Sequence, residues 1–257
     1  DFVSGPDWVR VDTRTDKVYR SDFGRTEAML RGAYATEKEG ASFTVRWTGS
    51  TLILSDIPQD AEVFLLVNSH NEPVNATGEL SVYTRTVSYD ASGYPVSAAA
   101  WTRVIDPAHT VMGRQGMGKT KEGDEKTPVG LFRMDTPFGI LPPEEGFPQN
   151  YLTLDENYYW DGDSGSACYN RLVDVRKYTA FDRAKSEHLV NIKRAYNYGI
   201  NMGYNAACTK GAGSALFLHC IDYTSGRNTA GCVAVDEQVM KQILKLYREG
   251  HTYIMIR

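Results

Sequence analysis

Residues 214–220, SALFLHC, and residues 228–237, NTAGCVAVDE, decide how the C-terminal half of this chain is interpreted. The first stretch is largely apolar and too short for a helix, which predicts a strand that ends around His219. The second places Cys232 in a Thr-Ala-Gly-Cys turn shortly afterwards. A thiolate is a nucleophile and a nearby imidazole accepts its proton, so the two residues indicate a cysteine-dependent catalytic site.

The turn before the cysteine has the residues that such a site needs. Gly231 lets the backbone pass close to a substrate carbonyl. The N–H groups of Gly231 and Cys232 are candidates for an oxyanion hole, and the Thr229 hydroxyl is suited to fix the turn.

Two other interpretations of these residues stay open. A lone cysteine is more often a small buried hydrophobe than a nucleophile. A zinc site could be built from His219, Cys220, Cys232 and His188. The sequence has no C-x-x-C or H-x-x-x-H pair there, and neighbouring residues of a strand point to opposite faces, which disfavours zinc.

Residues 113–120, GRQGMGKT, match the phosphate-loop pattern G-x-x-x-x-G-K-[ST]. A phosphate loop must lead into a helix, whereas Gly123 and Pro128 oppose one here. We therefore predict a glycine-rich turn with no bound nucleotide, in which Glu122 and Asp124 fix the loop.

Composition limits the class of protein. The 257 residues are 42% hydrophobic and 23% charged, as in a globular protein, and the net charge of -4 argues against nucleic acid as the partner. No apolar run approaches the roughly 18 residues of a membrane span. Four cysteines are compatible with disulfides and export.

The hydrophobic pattern predicts a chain rich in strands, with a small β-rich segment at 1–57. Helices are predicted at 182–199, with Leu189, Ile192 and Tyr196 on one face, and at 236–250, with Asp236 as N-cap and Val239, Ile243, Leu246 and Tyr247 on one face. Residues 133–181 are predicted to be a long loop that serves as a lid or binding surface.

Several separated segments occur in the order expected for one family. They are GSALFLHC and TAGCVAV around His219 and Cys232, EGDEKTPVGLF at 122–132, CYNRLV at 168–173, SEHL at 186–189 and GYN at 203–205. Over roughly residues 60–257 the chain thereby resembles the L,D-transpeptidase catalytic domain (YkuD-like) family.

The resemblance implies a mainly-β, sandwich-like catalytic domain at 58–257 with two or three helices. It implies an exported enzyme of the cell wall or periplasm, with no signal segment visible, that acts on peptidoglycan stem peptides without metal or organic cofactor. Cys232 would attack the carbonyl before the terminal D-alanine with His219 as base, and an amine would take the acyl group to form a 3→3 crosslink. Carbapenem-type inhibitors would acylate the cysteine. A carboxypeptidase or amidase that uses water, and a non-catalytic wall-binding module, are the alternatives.

Two positions depart from the family pattern. Ala230 stands where many members have His, and Ala234 where many have Arg or Asn. The groups that hold the substrate carboxylate are therefore open, with Arg227 and Arg171 as candidates.

A further substrate contact is expected from His188. Aromatic residues such as Tyr158, Trp160 and Tyr169 either line a sugar- or peptide-binding surface or form core under the long loop. Cys168 could pair with Cys208 in an exported protein, with Cys220 as another partner.

Overall fold

The structure is a computed structural model that describes residues 57–224 and 228–257 in full. Before residue 57 it describes the backbone of six short strands: β1 Arg10–Asp12, β2 Lys17–Tyr19, β3 Thr26–Met29, β4 Tyr34–Ala35, β5 Phe43–Trp47 and β6 Ser50–Leu54. β1 pairs with β2, and the other four form a sheet in the order β4-β3-β5-β6.

Fifteen more strands follow along the chain. They are β7 Val63–Ser69, β8 Thr77–Thr84, β9 Val87–Tyr89, β10 Pro95–Ala98, β11 Thr102–Val111, β12 Gly130–Arg133, β13 Asp135–Gly139, β14 Leu152–Thr153, β15 Tyr158–Trp160, β16 Leu172–Asp174, β17 Glu187–His188, β18 Gly199–Asn201, β19 Phe217–Cys220, β20 Val233–Val235 and β21 Thr252–Ile256. The mainly-β prediction is confirmed. The described ranges hold one α-helix and three 3-10 turns instead of two or three helices.

One sheet of ten strands carries the candidate site. Its order is β12-β21-β7-β8-β11-β20-β19-β18-β13-β14, while β16-β15-β17 form a separate small sheet and β9 pairs with β10. The two strands of interest, β19 and β20, are neighbours and run parallel, with His219 paired to Ala234 and Leu218 to Val233. Parallel strands need a crossover connection, which residues 221–232 provide.

The predicted C-terminal helix is confirmed as α1, Glu237–Leu246. Asp236 is its N-cap, because the side chain accepts a hydrogen bond from the Gln238 N–H. The buried face consists of Met240, Ile243 and Leu244, and Tyr247 is buried just after the helix ends. Val239 and Leu246, which were predicted on this face, are half-buried.

The helix predicted at 182–199 is wrong. Short 3-10 turns at Arg183–Lys185, Leu189–Asn191 and Ala195–Asn197 alternate with the strands β17 and β18. Pairing of β17 with β15 extends the backbone in the middle of the segment, and tertiary pairing thus overrides the helical spacing. Ile192, which was expected on the buried face, is 39% exposed.

The long loop predicted at 133–181 is only partly right. Between its turns lie the strands β13 to β16. β13 joins the large sheet beside β18, and β15 forms the centre of the three-stranded sheet. These strands are short, two to five residues each, and their sequence signal is correspondingly weak.

The chain divides into two compact units, Asp1–Phe64 with Val82–Asp106, and Leu65–Ser81 with Pro107–Arg257. In the first unit the Arg85 guanidinium lies 4.4 Å from the centre of the Trp101 ring, which also packs against Phe64. In the second unit aromatic rings of Phe138, Tyr196 and Phe217 pack edge to face in the core. A boundary at residue 57 stays a prediction.

Candidate active site

The turn before Cys232 can be made only with glycine. Gly231 has φ +132°, a backbone conformation that side chains with a Cβ rarely adopt. A Cβ built on Gly231 would lie 2.6 Å from the Lys126 carbonyl oxygen and 3.1 Å from Leu216 Cδ1. The close approach of the 126 backbone therefore fixes where the cysteine emerges.

The Thr229 side chain braces this turn. Its hydroxyl accepts a hydrogen bond from the Gly231 N–H at 3.1 Å and donates one to the Cys232 carbonyl oxygen at 2.7 Å. Because the Gly231 N–H points at Thr229, it is not available to an oxyanion in this conformation. The Cys232 N–H has no hydrogen-bond acceptor among the described residues, so it is a backbone donor that the turn leaves free.

The Cys232 sulfur is held between two backbone groups of the segment leading into β19. The Phe217 N–H donates to Sγ at 3.3 Å, and the thiol donates to the Ala215 carbonyl oxygen at 3.4 Å. Burial, together with the negative charge of Glu187, raises the pKa of the Cys232 thiol to about 12. The resting cysteine is thus a protonated thiol.

His219 is tied to the backbone of its own strand. Its Nδ1 lies 2.8 Å from the carbonyl oxygen of Cys220. Since a carbonyl oxygen only accepts, Nδ1 carries the proton and Nε2 keeps its lone pair. Burial lowers the pKa of His219 to about 4, so the imidazole is neutral at physiological pH.

The register of β19 and β20 places the two groups on one face. Side chains of a strand alternate between its two faces, so His219 lies on the same face of β19 as Phe217. Phe217 is level with Cys232 on the neighbouring strand, because the next residues, Leu218 and Val233, are paired. Cys232 and Phe217 pack in the same core cluster. Among the hydrogen bonds of the described residues none joins the sulfur to the imidazole, and the two groups are one diagonal position apart on neighbouring strands.

Cys232 lines a pocket of about 220 Å³ in the second unit. The other lining residues are Lys119, Glu122, Gly123, Glu125, Trp160, Gly162, Lys185, Glu187, Ser214, Ala215 and Ala230. Trp160, one of the aromatic residues expected at a binding surface, forms part of this wall. Its indole N–H donates to Asn170 Oδ1 at 2.9 Å, and the same oxygen accepts from the Ala215 N–H, so one amide holds two sides of the pocket.

The lysine of the GRQGMGKT octapeptide is used inside the protein. Lys119 Nζ lies 2.9 Å from Asp124 Oδ1, and both side chains are almost wholly buried. Although burial alone would raise it, hydrogen bonds from Lys119 and from the backbone N–H groups of Thr120, Lys121 and Lys126 lower the pKa of Asp124 to about 2. A turn follows Thr120 where a phosphate loop would have a helix, and Asp124 fixes the loop as the sequence predicts.

Tyr169 is fully buried and reaches the pocket through Glu122. The phenol donates to Glu122 Oε2 at 2.5 Å and accepts from the Gly213 N–H at 3.0 Å. The Ser214 hydroxyl donates to the same carboxylate oxygen at 2.9 Å. The structure therefore puts Glu122 at the pocket wall, with Tyr169 behind it.

His188 lies outside the pocket, and its neighbour Glu187 lies in it. The His188 ring stacks on Tyr159 with 4.2 Å between centres, and its Nε2 and Nδ1 bond to the Glu156 carbonyl and to Asn191. The alternation of side chains in β17 turns Glu187 the other way, toward Cys232. This orientation follows from the pairing of β17 with β15, and no local feature of the sequence indicates that Glu187 faces Cys232.

The two arginine candidates have different outcomes. Arg171 is exposed, donates to the Ala206 carbonyl oxygen at 3.1 Å and is not among the residues that line the pocket. Arg227 lies outside the described residues. Ala234, which stands where the family that the sequence resembles often has arginine or asparagine, is buried with Val111 and Ile221.

All four cysteines, Cys168, Cys208, Cys220 and Cys232, are free thiols, so the Cys168–Cys208 bridge considered from sequence is not formed here. Cys220 points away from His219, toward the Tyr198 carbonyl oxygen. In the residues that the structure describes, no group of three or more His, Cys, Asp or Glu side chains is arranged to hold a metal ion.

Comparison with known proteins identifies the family of the mainly-β domain. The family model of the L,D-transpeptidase catalytic domain (YkuD) matches residues 93–256. The chain belongs to this family, whose members act on peptidoglycan. No curated protein and no solved structure gives a significant match. Within the described part of the chain, no helix has the length and apolar character to cross a membrane.

Proposed function

We propose that this protein is a peptidoglycan L,D-transpeptidase with Cys232 as nucleophile and His219 as general base. The observation that carries the proposal is that Cys232 lines the 220 Å³ pocket at the start of β20, directly beside the strand that bears His219. Membership of the L,D-transpeptidase family supports peptidoglycan as the substrate. Such an enzyme works outside the cytoplasmic membrane, at the cell wall or in the periplasm.

In the first half of the reaction the pocket binds a stem peptide with the carbonyl of its third residue facing Sγ. His219 Nε2 takes the thiol proton as the S–C bond forms. The Cys232 N–H donates to the oxyanion that develops. The C–N bond to the terminal D-alanine then breaks, and the imidazolium returns the proton to the leaving amine.

In the second half the acyl group passes to an acceptor. An amine of a neighbouring stem attacks the thioester carbonyl and gives a proton to His219. The C–S bond breaks, the sulfur regains a proton and a 3→3 crosslink is formed. Water in place of the amine would make the protein a carboxypeptidase.

The protonation states of the resting site require the proton to move during attack, because a thiol with a pKa of about 12 does not pass its proton beforehand to an imidazole with a pKa of about 4. The pKa of Cys232 is raised to about 12 and that of His219 is lowered to about 4 by burial, so the two groups rest as thiol and neutral imidazole. A neutral imidazole with a free Nε2 lone pair is the form that a general base requires.

The test is incubation of the purified protein with a disaccharide-tetrapeptide, followed by mass spectrometry of the products. We expect free D-alanine and a 3→3 dimer from the wild type and from Cys168→Ala, and neither from Cys232→Ala. Tripeptide without dimer would assign water as the acceptor. Binding without turnover would support the wall-binding module instead, and turnover by Cys232→Ala would refute the nucleophile.

A further inference from the structure

We propose that Glu187 and Tyr196 are positioning residues for the Cys232–His219 pair. The Glu187 carboxylate anchors the Tyr196 hydroxyl, and the anchored phenol ring holds the plane of the His219 imidazole. The inference rests on the proposed function only for its effect on turnover, because the reactivity of the thiol reports on it without any substrate.

Glu187 reaches the site because of the strand that carries it. β17 pairs with β15, with Trp160 opposite Glu187 and Tyr159 opposite His188. His188 stacks on Tyr159 on one face, and the side chain of Glu187 lies on the other, in the pocket wall with Trp160 and Cys232. The catalytic mechanism proposed above does not use the Glu187 carboxylate, and among the described residues it forms no salt bridge.

The hydrogen-bond partner of Glu187 is the phenol of Tyr196. The hydroxyl donates a short hydrogen bond to Glu187 Oε2 at 2.6 Å. Tyr196 is buried, so the bond is shielded from water.

The Tyr196 ring contacts both arms of the site. Its centre lies 5.4 Å from the His219 ring at an interplanar angle of 69°, and 5.5 Å from the Phe217 ring at 85°. Phe217 in turn donates its N–H to the Cys232 sulfur. The bond from Nδ1 to the Cys220 carbonyl holds one edge of the imidazole, and the edge-to-face contact with Tyr196 limits rotation of the ring about that bond.

The backbone of Tyr196 is fixed at both ends, which leaves the phenol end as the part that needs an anchor. Its N–H donates to the Ile192 carbonyl oxygen at 2.9 Å, and its carbonyl accepts from the Ile140 N–H at 2.8 Å. Beyond the ring, the described hydrogen bond of the phenol is the one to Glu187.

The experiment measures the rate at which iodoacetamide alkylates Cys232 at pH 7, by mass spectrometry of the peptide that contains it. We expect Tyr196→Phe and Glu187→Ala to slow alkylation roughly tenfold, as a misplaced base does. Glu187→Gln should react at or above the wild-type rate, because its amide oxygen still accepts from the phenol. The matched control Tyr89→Phe, which removes a tyrosine–glutamate bond outside the pocket, should leave the rate unchanged.

The decisive comparison is made in a His219→Ala background. If Tyr196 acts through the imidazole, adding Tyr196→Phe there should not slow alkylation further. A wild-type rate for Tyr196→Phe alone, or an equal slowing with and without His219, would overturn the proposal. Should Glu187→Ala fail to fold, the Tyr196→Phe variants decide by themselves. If the wild type shows no transpeptidation but Tyr196→Phe still slows alkylation only when His219 is present, the proposed function is rejected and the positioning role is retained.

Discussion

The Nδ1 atom of His219 lies 2.8 Å from the carbonyl oxygen of Cys220, the next residue in the same strand. The bond sets the tautomer of the imidazole and directs the Nε2 lone pair away from the strand backbone. In the proposed mechanism the backbone carbonyl thus performs the orienting task that a carboxylate performs in a Ser-His-Asp triad.

A first prediction concerns this bond. His219→Asn keeps an N–H donor for the Cys220 carbonyl and removes the base, so the fold should be retained while D-alanine release falls by roughly 10²–10⁴-fold. Release is measured by coupled assay and folding by thermal melting. A variant that melts normally and turns over at more than a tenth of the wild-type rate would contradict the base assignment.

Any side chain at position 231 should lower the unfolding free energy of the protein. Gly231→Ala adds a Cβ at 2.6 Å from the Lys126 carbonyl and forces φ +132°, so we expect a loss of unfolding free energy of about 2–4 kcal/mol. Gly118→Ala is the matched control, because it also has positive φ but nothing within 4 Å of the new Cβ. Urea denaturation compares the two, and equal losses would show that the close approach is unimportant.

The Thr229 hydroxyl should matter more than its methyl group. Thr229→Val removes both hydrogen bonds of the turn, at a cost of about 1–3 kcal/mol. The Gly231 N–H loses its acceptor, while the Cys232 carbonyl keeps the longer bond from the Thr127 hydroxyl at 3.4 Å. Thr229→Ser keeps the hydroxyl and should stay within about 1 kcal/mol of the wild type. The same urea experiment tests this, and equal destabilisation of both variants would refute it.

Asp124 should be more important to stability than a surface acid. Asp124→Asn leaves the buried Lys119 ammonium without its partner, which costs about 3–5 kcal/mol. The double variant Lys119→Met with Asp124→Asn removes the unpaired charge and should recover most of that loss. If the double variant is no more stable than the single one, the Lys119–Asp124 pair is not the cause.

The pH dependence of stability should show two opposing groups. The folded pKa of His219 is lowered from 6.5 to about 4, so its contribution is present above pH 6.5 and is lost as pH falls toward 4. Burial, together with the Glu122 charge and against the lowering effect of the Tyr196 hydrogen bond, raises the pKa of Glu187 from 4.5 to about 7. Its contribution to stability is therefore present below pH 4.5 and is lost as pH rises toward 7.

Between these limits the two slopes nearly cancel in the wild type. Glu187→Gln removes the Glu187 contribution, so that of His219 is no longer cancelled. On acidification below pH 6.5 the unfolding free energy of this variant should fall by about 1.4 kcal/mol per pH unit more steeply than that of the wild type. Denaturant titrations from pH 4 to 7 measure the slope, with the exposed Glu79→Gln as control. Parallel curves for Glu187→Gln and the wild type would contradict the assignment.

The sequence predicts what depends on local pattern. The apolar run that ends near His219 predicts β19, and Asp236 predicts the start of the helix, whereas the strand that follows Cys232 was not predicted. Gly123 and Pro128 predict that no helix follows Thr120.

The rest depends on which strands meet. Residues 182–199 have helical spacing, yet β15 captures Glu187 and His188 in a sheet. No local signal distinguishes Glu187 from His188 as the pocket residue, because their opposite orientations follow from that pairing. The sequence likewise does not show that Tyr169 lies behind the pocket wall, because its place depends on a hydrogen bond to Glu122, which is distant in the chain.

Because β19 and β20 are paired directly, the relative positions of His219 and Cys232 do not depend on the length of the segment that connects the two strands. Hydrogen bonds between the two strands hold His219 opposite Ala234 whatever the path of the intervening chain. Insertions or deletions between Ile221 and Asn228 would therefore leave Cys232 and His219 in register, so the length of this crossover can change while the two side chains stay in place.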